Sequence, residues 1–288
     1  MNNIKYFIQY LCVNILFFLF RFFGYKISKF IAGNLFVLFG SLFKSREITL
    51  QNIKFVFEKF NHDEVNKIFK AMWINYGKIF SEYPFIQKFR NSTEFSKKIK
   101  VRNKYILDEI KNNNEQVIFI SGHFNNFELM AMQIEKSGIN LATVYRPLNN
   151  KFLNPKMISI REKYICKKQI KKGISGTRHL LKLFKKKTSI ALMIDQRVSE
   201  GIKCDFFGRD ALTTTIPAQF VKRYNIKVVP IYIERLLNDN FILTIHNPIK
   251  FDKNKSIFDI TLFLNKVLEK MILKNPCQWI WTHNRWKQ

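Results

Sequence analysis

Two uncharged, almost wholly apolar runs open the chain, Tyr6 to Phe20 and Phe30 to Phe43. Lys5 and Arg21 bound the first, and Gly24-Tyr25-Lys26-Ile27-Ser28-Lys29 lies between the two. As a helix the first run spans roughly 22 Å, short of a hydrocarbon core of roughly 30 Å. Snorkelling of the flanking cations makes up part of the deficit. The run lacks the small-residue cleavage site of a secretory signal. Two readings follow: a membrane-attached segment, inserted or interfacial, or an ordinary helical hairpin packed on the rest of the protein. So few polar breaks over residues 1–43 favour membrane attachment.

From Lys44 to Pro84 apolar positions return at helical spacing, in Ile53 and Phe57 and again in Val65, Ile68, Phe69 and Met72. Asn61-His62-Asp63-Glu64 reads as a helix cap between them. Residues 85–115 carry further polar helical segments that end in the loop Asn112-Asn113-Asn114.

At Val117 the pattern changes. Short β-rich apolar runs at 117–121, 140–145, 189–194, 227–233 and 241–246 alternate with amphipathic stretches at 125–136, 154–166, 176–186, 215–224 and 256–273. Alternation of this kind predicts an α/β fold, a mixed central sheet flanked by helices. The expected division is 1–43, then 44–288, with 44–115 helical and 116–288 α/β.

Charge narrows the partners. Lys and Arg number 49 against 21 Asp and Glu, a formal net charge of +28. Such a chain attracts polyanions: anionic headgroups, phosphorylated substrates, acidic proteins or nucleic acid. The clusters Lys167-Lys168, Lys171-Lys172 and Lys185-Lys186-Lys187 also fit a solvated surface. Cys12, Cys166, Cys204 and Cys277 form no CxxC pair and the five histidines are scattered. Reduced thiols facing the cytosol are expected, and neither a zinc site nor another metal.

The chemistry concentrates in Gly122-His123-Phe124-Asn125-Asn126-Phe127-Glu128, where a strand hands over to a helix. Ligands of open α/β sheets bind at such places. An offset of five residues on an ideal helix is about 500°, so two side chains so spaced point about 140° apart. A meeting of His123 and Glu128 therefore requires His123 on the turn before the helix, with Asn125 or Asn126 as N-cap. His123 then acts as general base, and Glu128 fixes its tautomer. There is no GxSxG, P-loop or GxGxxG, so neither a covalent serine intermediate nor nucleotide chemistry has support.

The segment Ser-Gly-His-Phe-Asn-Asn-Phe-Glu resembles the H-x4-D/E motif of glycerolipid acyltransferases, in the version found in bacterial lipid A late acyltransferases. Further blocks resemble that family in order. They are Arg46 to Phe57, Val144 to Asn150, Arg161, Met193-Ile194-Asp195-Gln196, Asp205 to Thr213, and Trp281 to Lys287. Asn126, Asp210 and Asn284 depart from the family pattern.

The resemblance implies a membrane-bound enzyme that transfers a fatty acyl chain from acyl–acyl carrier protein to a hydroxyl of a lipid A precursor. It implies His123 and Glu128 as the catalytic pair. It implies substrate or oxyanion contacts from Arg161, Arg146, Asp195, Gln196 and Asn125. Asp195 is read as orienting Arg161 or a loop. The expected partners are acyl carrier protein, the lipid A precursor and anionic membrane lipids, with no cofactor and no nucleic acid, at the cytoplasmic face of a bacterial inner membrane. The alternatives are the same chemistry on another lipid acceptor and a non-enzymatic basic binder of membranes or nucleic acid. Trp279, Trp281, Arg285 and Trp286 read either as an interfacial belt or as packing for the C-terminus.

Overall fold

The computed structural model describes residues 2–42 and 44–287. Phe43, which ends the second apolar run and the expected N-terminal segment, lies outside the described residues, as do Met1 and Gln288.

The first third of the chain is helical. The elements are α1 (Asn2–Phe39), α2 (Arg46–Val56), α3 (His62–Glu82), α4 (Ile86–Asn91) and α5 (Thr93–Ser96). The two apolar runs belong to one kinked element, broken at Gly24, whose φ of 78° and ψ of 171° are not helical. Glycine adopts such a backbone without strain. Beyond the kink α1 lies against α3 at very short range. A Cβ placed on Gly77 would sit 2.1 Å from the backbone oxygen of Ala32. Helix α3 starts where the cap was expected. The Asn61 side chain accepts from the Glu64 N–H, and the Glu64 carboxylate accepts from the Asn61 N–H. Its buried stripe is Val65, Ile68, Phe69 and Met72.

Many large apolar side chains of α1 are left largely uncovered by the rest of the protein. Ile4, Phe7, Ile8, Leu11, Ile15, Phe18, Phe22, Phe30 and Leu38 are all exposed. The segment Asn3–Leu42 is long and apolar enough to cross a membrane. An exposed apolar surface of this extent on a soluble protein is a mark of a membrane or protein partner.

The remainder is β1 (Ile99–Arg102), α6 (Lys104–Asn112), β2 (Val117–Ser121), α7 (Glu128–Lys136), β3 (Leu141–Tyr145), α8 (Leu153–Tyr164), β4 (Lys168–Lys171), α9 (Ile174–Lys185), β5 (Ser189–Met193), β6 (Ile202–Phe206), β7 (Arg209–Thr213), α10 (Ile216–Tyr224), β8 (Lys227–Arg235), β9 (Phe241–Ile245) and α11 (Ile257–Lys274). Seven strands form one sheet in the order β1-β9-β8-β2-β5-β3-β4. Every neighbouring pair is parallel except β8 with β9. This is the mixed sheet flanked by helices that the alternation predicts. The five apolar runs are all strands.

Four strands have no counterpart in the sequence pattern. Strands β1 (Ile-Lys-Val-Arg) and β4 (Lys-Gln-Ile-Lys) are the two edges of the sheet, and their charged residues suit an edge. Strands β6 and β7 form a separate hairpin. Its turn, Phe207-Gly208, has φ of 57° and 78°, the two positive values that a tight type I′ turn demands.

The C-terminal tryptophans serve the core, not a membrane interface. Trp279, Trp281 and Trp286 are buried and Arg285 is fully so. Arg285 donates to Leu212 O and to Thr213 Oγ1, and Trp286 Nε1 donates to Phe206 O. Asn52 of α2 donates to the carbonyls of Trp281 and His283, which ties the helical half to the closing segment.

Candidate active site

Strand register creates the site. Ser121 of β2 is paired with Met193 of the parallel β5. The residue two places beyond each, His123 and Asp195, therefore arrive side by side at the carboxyl edge of the sheet. His123 Nδ1 lies 2.8 Å from Asp195 Oδ1, and the His123 backbone N–H donates to Oδ2 at 2.8 Å. The Trp279 indole donates to the same Oδ2 at 2.9 Å. Gly122 permits this approach, since a Cβ there would lie 3.2 Å from Asp195 and 2.9 Å from the Phe124 ring.

Asp195 is 2% exposed, and burial works against its ionisation. The positive His123, the ring and backbone hydrogen bonds from that residue and the Trp279 indole outweigh burial and hold the carboxyl down to about 2. Asp195 is thus an anion at neutral pH. The His123 ring is pulled the opposite way. Burial favours its neutral form, but the Asp195 charge and hydrogen bond prevail and raise its pKa above the ordinary value. Glu128 adds to the rise and Arg161 opposes it. With Nδ1 engaged by a carboxylate, Nε2 is the nitrogen left to exchange a proton with a substrate.

The expected contact between His123 and Glu128 is not made. Glu128 opens α7, as the spacing argument required, and His123 lies on the turn before it. Yet Glu128 Oε1 accepts from Arg161 Nε at 2.8 Å, from Arg161 Nη2 at 2.5 Å and from the Tyr83 hydroxyl. Arg161 Nη2 also lies 3.3 Å from Tyr83 Oη. The carboxylate is turned toward α8 because a guanidinium there satisfies it with two charge-assisted hydrogen bonds. The partners expected for the two carboxylates are exchanged: Asp195 orients His123, and Glu128 orients Arg161. Among the described residues Arg161 Nη1 has no hydrogen-bond partner within the protein, so its two N–H groups are free for a ligand.

Asn125 is not placed to touch substrate. It is fully buried in the left-handed conformation, φ 43°. Its backbone N–H and side-chain amide both donate to Gln278, at 2.9 and 2.8 Å. Neither Asn125 nor Asn126 caps α7; that position falls to Phe127, without a side-chain hydrogen bond. Asn126 instead donates to Glu82 Oε2 at 2.9 Å. Arg146 follows β3 and is exposed, with no ion pair among the described residues. Gln196 is half-buried beside Asp195. The structure brings neither to His123 by a direct contact.

Residues that the sequence reading did not single out complete the surroundings. Tyr83 is the third member of the Glu128–Arg161 cluster, and burial, with Glu128 next in weight, drives its hydroxyl far above the ordinary range. Its position at the end of a helix before Pro84 gave no local signal. His283 accepts from the Arg197 N–H through Nε2 at 2.9 Å, and burial pushes it down to about 4, so it is neutral. Glu82 is 0% exposed and paired through both oxygens with Arg235, at 2.5 and 3.0 Å. Tyr25 of α1 donates to that carboxylate too. One buried carboxylate thus joins α1, β8 and the turn that carries His123.

An imidazole held by a buried carboxylate at the edge of a mostly parallel sheet, with an ion-paired arginine nearby, has the groups that general acid–base chemistry needs. The family model for bacterial lipid A biosynthesis acyltransferases matches residues 1–288, the whole chain. The chain belongs to that family, and it is an acyltransferase of lipid A biosynthesis. A search of the curated proteins finds no match.

Proposed function

We propose that this protein transfers a fatty acyl chain from acyl–acyl carrier protein to a hydroxyl of a lipid A precursor, with His123 as general base. Nε2 of His123 takes the proton of the acceptor hydroxyl, and the freed oxygen attacks the thioester carbonyl carbon. The C–S bond breaks, and the imidazolium returns the proton to the departing thiolate. Asp195 holds the tautomer and stabilises the imidazolium. Arg161, held by Glu128 and Tyr83, offers its free N–H groups to the thioester oxyanion.

The observation that carries the reading is the 2.8 Å contact between His123 Nδ1 and the buried, ionised Asp195. It supplies an imidazole poised to accept a proton, in a chain whose family acylates lipid A. The exposed apolar face of α1 supports residues 1–43 as the membrane-attached part and 44–288 as the part that carries out transfer. A net charge of +28 suits an acidic carrier protein, a phosphorylated acceptor and the anionic lipids of the cytoplasmic leaflet of a bacterial inner membrane.

The test uses the full-length protein in detergent or nanodiscs with acyl carrier protein loaded with a fatty acid, and a purified lipid A precursor. His123→Ala should lower turnover by about 10²–10⁴ while the protein stays folded and membrane-bound. Full activity in that variant would end the reading. Mass spectrometry of lipids from cells lacking the gene identifies the acceptor: one acyl chain lost from lipid A supports it, and a change confined to phospholipids refutes it.

A further inference from the structure

Between Glu162 and Asp195 there is no acidic residue, and ten positions are Lys or Arg: Lys163, Lys167, Lys168, Lys171, Lys172, Arg178, Lys182, Lys185, Lys186 and Lys187. All but Lys168 are exposed. None takes part in an ion pair among the described residues. Apart from Lys163, which belongs to α8, these cations form an uncompensated surface on and around β4 and α9.

Register gives this surface its relation to the site. Lys171 of β4 is paired with Tyr145 of β3, Thr143 of β3 with Ala191 of β5, and Met193 of β5 with Ser121 of β2. Lys171, Tyr145, Met193 and Ser121 thus form one row across four parallel strands. Lys172 and Gly173 run past that row as His123 does on β2. The start of α9 and the catalytic histidine share the carboxyl edge of the sheet, three strand spacings apart, about 14 Å at about 4.8 Å each.

Handedness separates the surface from the apolar helix. From β3 the chain moves outward to β4, and from β4 it turns back inward to β5. Right-handed crossovers place α8 and α9 on opposite faces of the sheet. The α8 side carries α1: Asn150 donates to Tyr6 O, Phe152 packs on Phe7, and Lys156 bonds to Asn14. The α9 side packs Phe184 on Phe220 and Tyr224 of α10. The basic surface of α9 and the contacts of α1 therefore lie on opposite faces of the sheet. Along α9 the solvent-facing positions Ile174, Arg178, Lys182 and Lys185 fall on one stripe at helical spacing, opposite the buried Gly176, Leu180 and Phe184. Ile174, at the end nearest the site, is 78% exposed.

We infer that this stripe, with Lys171 and Lys172, is the docking surface for the acidic acyl carrier protein that delivers the donor thioester. The inference rests on the carrier-protein donor proposed above. A row of cations ending in one exposed isoleucine complements an acidic helix that carries an apolar spot. Steering by unpaired charges raises the rate of encounter more than it changes the chemistry. The strand spacing leaves a gap for the carrier's flexible prosthetic arm to bridge, so the thioester reaches His123 while the carrier body stays on α9.

The test is the quadruple charge reversal K171E/K172E/R178E/K182E in the full-length protein, assayed with acylated carrier protein and, separately, with acyl-pantetheine, which has no carrier body. The expected result is a KM for acyl–carrier protein raised tenfold or more at low salt. Turnover of acyl-pantetheine and partition onto phosphatidylglycerol vesicles should be unchanged. High salt should narrow the difference by weakening the wild type. An unchanged KM for acyl–carrier protein overturns the docking surface and leaves the donor reading intact. Loss of vesicle binding with an unchanged KM overturns it in favour of a headgroup surface. A wild-type enzyme that accepts acyl-pantetheine but not acyl–carrier protein overturns the donor reading and the surface with it.

Discussion

Asp195 Oδ1 lies 2.8 Å from His123 Nδ1 across seventy-two residues of sequence, and the parallel pairing of β2 with β5 brings them together. The two groups titrate in opposite directions for one reason: each stabilises the charged form of the other. A general base works only when neutral, so the acid limb of kcat/KM should lie above the ordinary histidine value of about 6.5. In Asp195→Asn burial is no longer opposed by that carboxylate, and the limb should move to lower pH as the plateau falls about 10²–10⁴-fold. The pair's contribution to stability follows the same signs. From the histidine side it is complete below the ordinary pKa and lost as pH rises through the raised one. From the aspartate side it is lost as pH falls toward about 2. A pH–rate profile with an unmoved acid limb in Asp195→Asn would break the assignment.

Glu128 is bonded to Arg161 and not to His123, so the proposed mechanism has it act through that arginine and not as the partner of a His–Glu pair. Glu128→Ala and Arg161→Ala should each impair transfer, and the double variant should be little worse than either. The double-mutant cycle should return a coupling of about 1–3 kcal/mol in transition-state stabilisation. Glu128→Ala should also move the acid limb much less than Asp195→Asn. Additive losses in the cycle would show that the two side chains work independently.

The buried Glu82–Arg235 pair is a liability as well as a tie. Glu82 is 0% exposed and Arg235 8%. Removing one partner leaves an uncompensated buried charge, so Glu82→Leu should cost about 3–5 kcal/mol in unfolding free energy. Replacing both by apolar residues should recover most of that loss. The double variant should still turn over more slowly than the wild type, because Asn126, on the turn that carries His123, loses its acceptor on Glu82. Denaturant melts alongside turnover numbers read both effects; a single variant as stable as the wild type would contradict the reading.

The kinked α1 and its helix partner should respond differently to substitutions on their two faces. Gly77→Ala forces a methyl group into the Ala32 carbonyl, where the obstacle is backbone and cannot rotate away. A loss of about 1–3 kcal/mol is expected, visible as a lower Tm. Phe18→Ser, Phe22→Ser and Phe30→Ser, all at exposed positions, should leave Tm nearly unchanged and weaken partition onto vesicles. Unchanged partition would deny the exposed face a role in membrane attachment.

The apolar runs that became strands were legible because β2 and the middle of β8 are buried on both faces and β5 nearly so, and such strands need continuous hydrophobic sequence. Strands β1 and β4 escaped because an edge strand is charged by necessity, and β6 with β7 because a two-stranded hairpin buries little. The cap of α3 was readable since both of its hydrogen bonds lie within four residues. His123 and Glu128 were readable as chemistry by residue type and by spacing around a turn. The partner of neither was readable, because it comes from an element far along the chain. Arg285 and the three closing tryptophans looked amphipathic, and only burial assigned them to the core.

Sequence by itself determined the local facts: a helical, apolar beginning, an alternating α/β remainder, a histidine on a turn, a carboxylate inside the following helix, and the family's ordered blocks. Tertiary structure decided which carboxylate meets the histidine. Local spacing sets only the directions of side chains on one element. Contact between elements depends on strand order and register, and here the β2–β5 register aligns His123 with Asp195 while the packing of α7 near α8 gives Glu128 to Arg161.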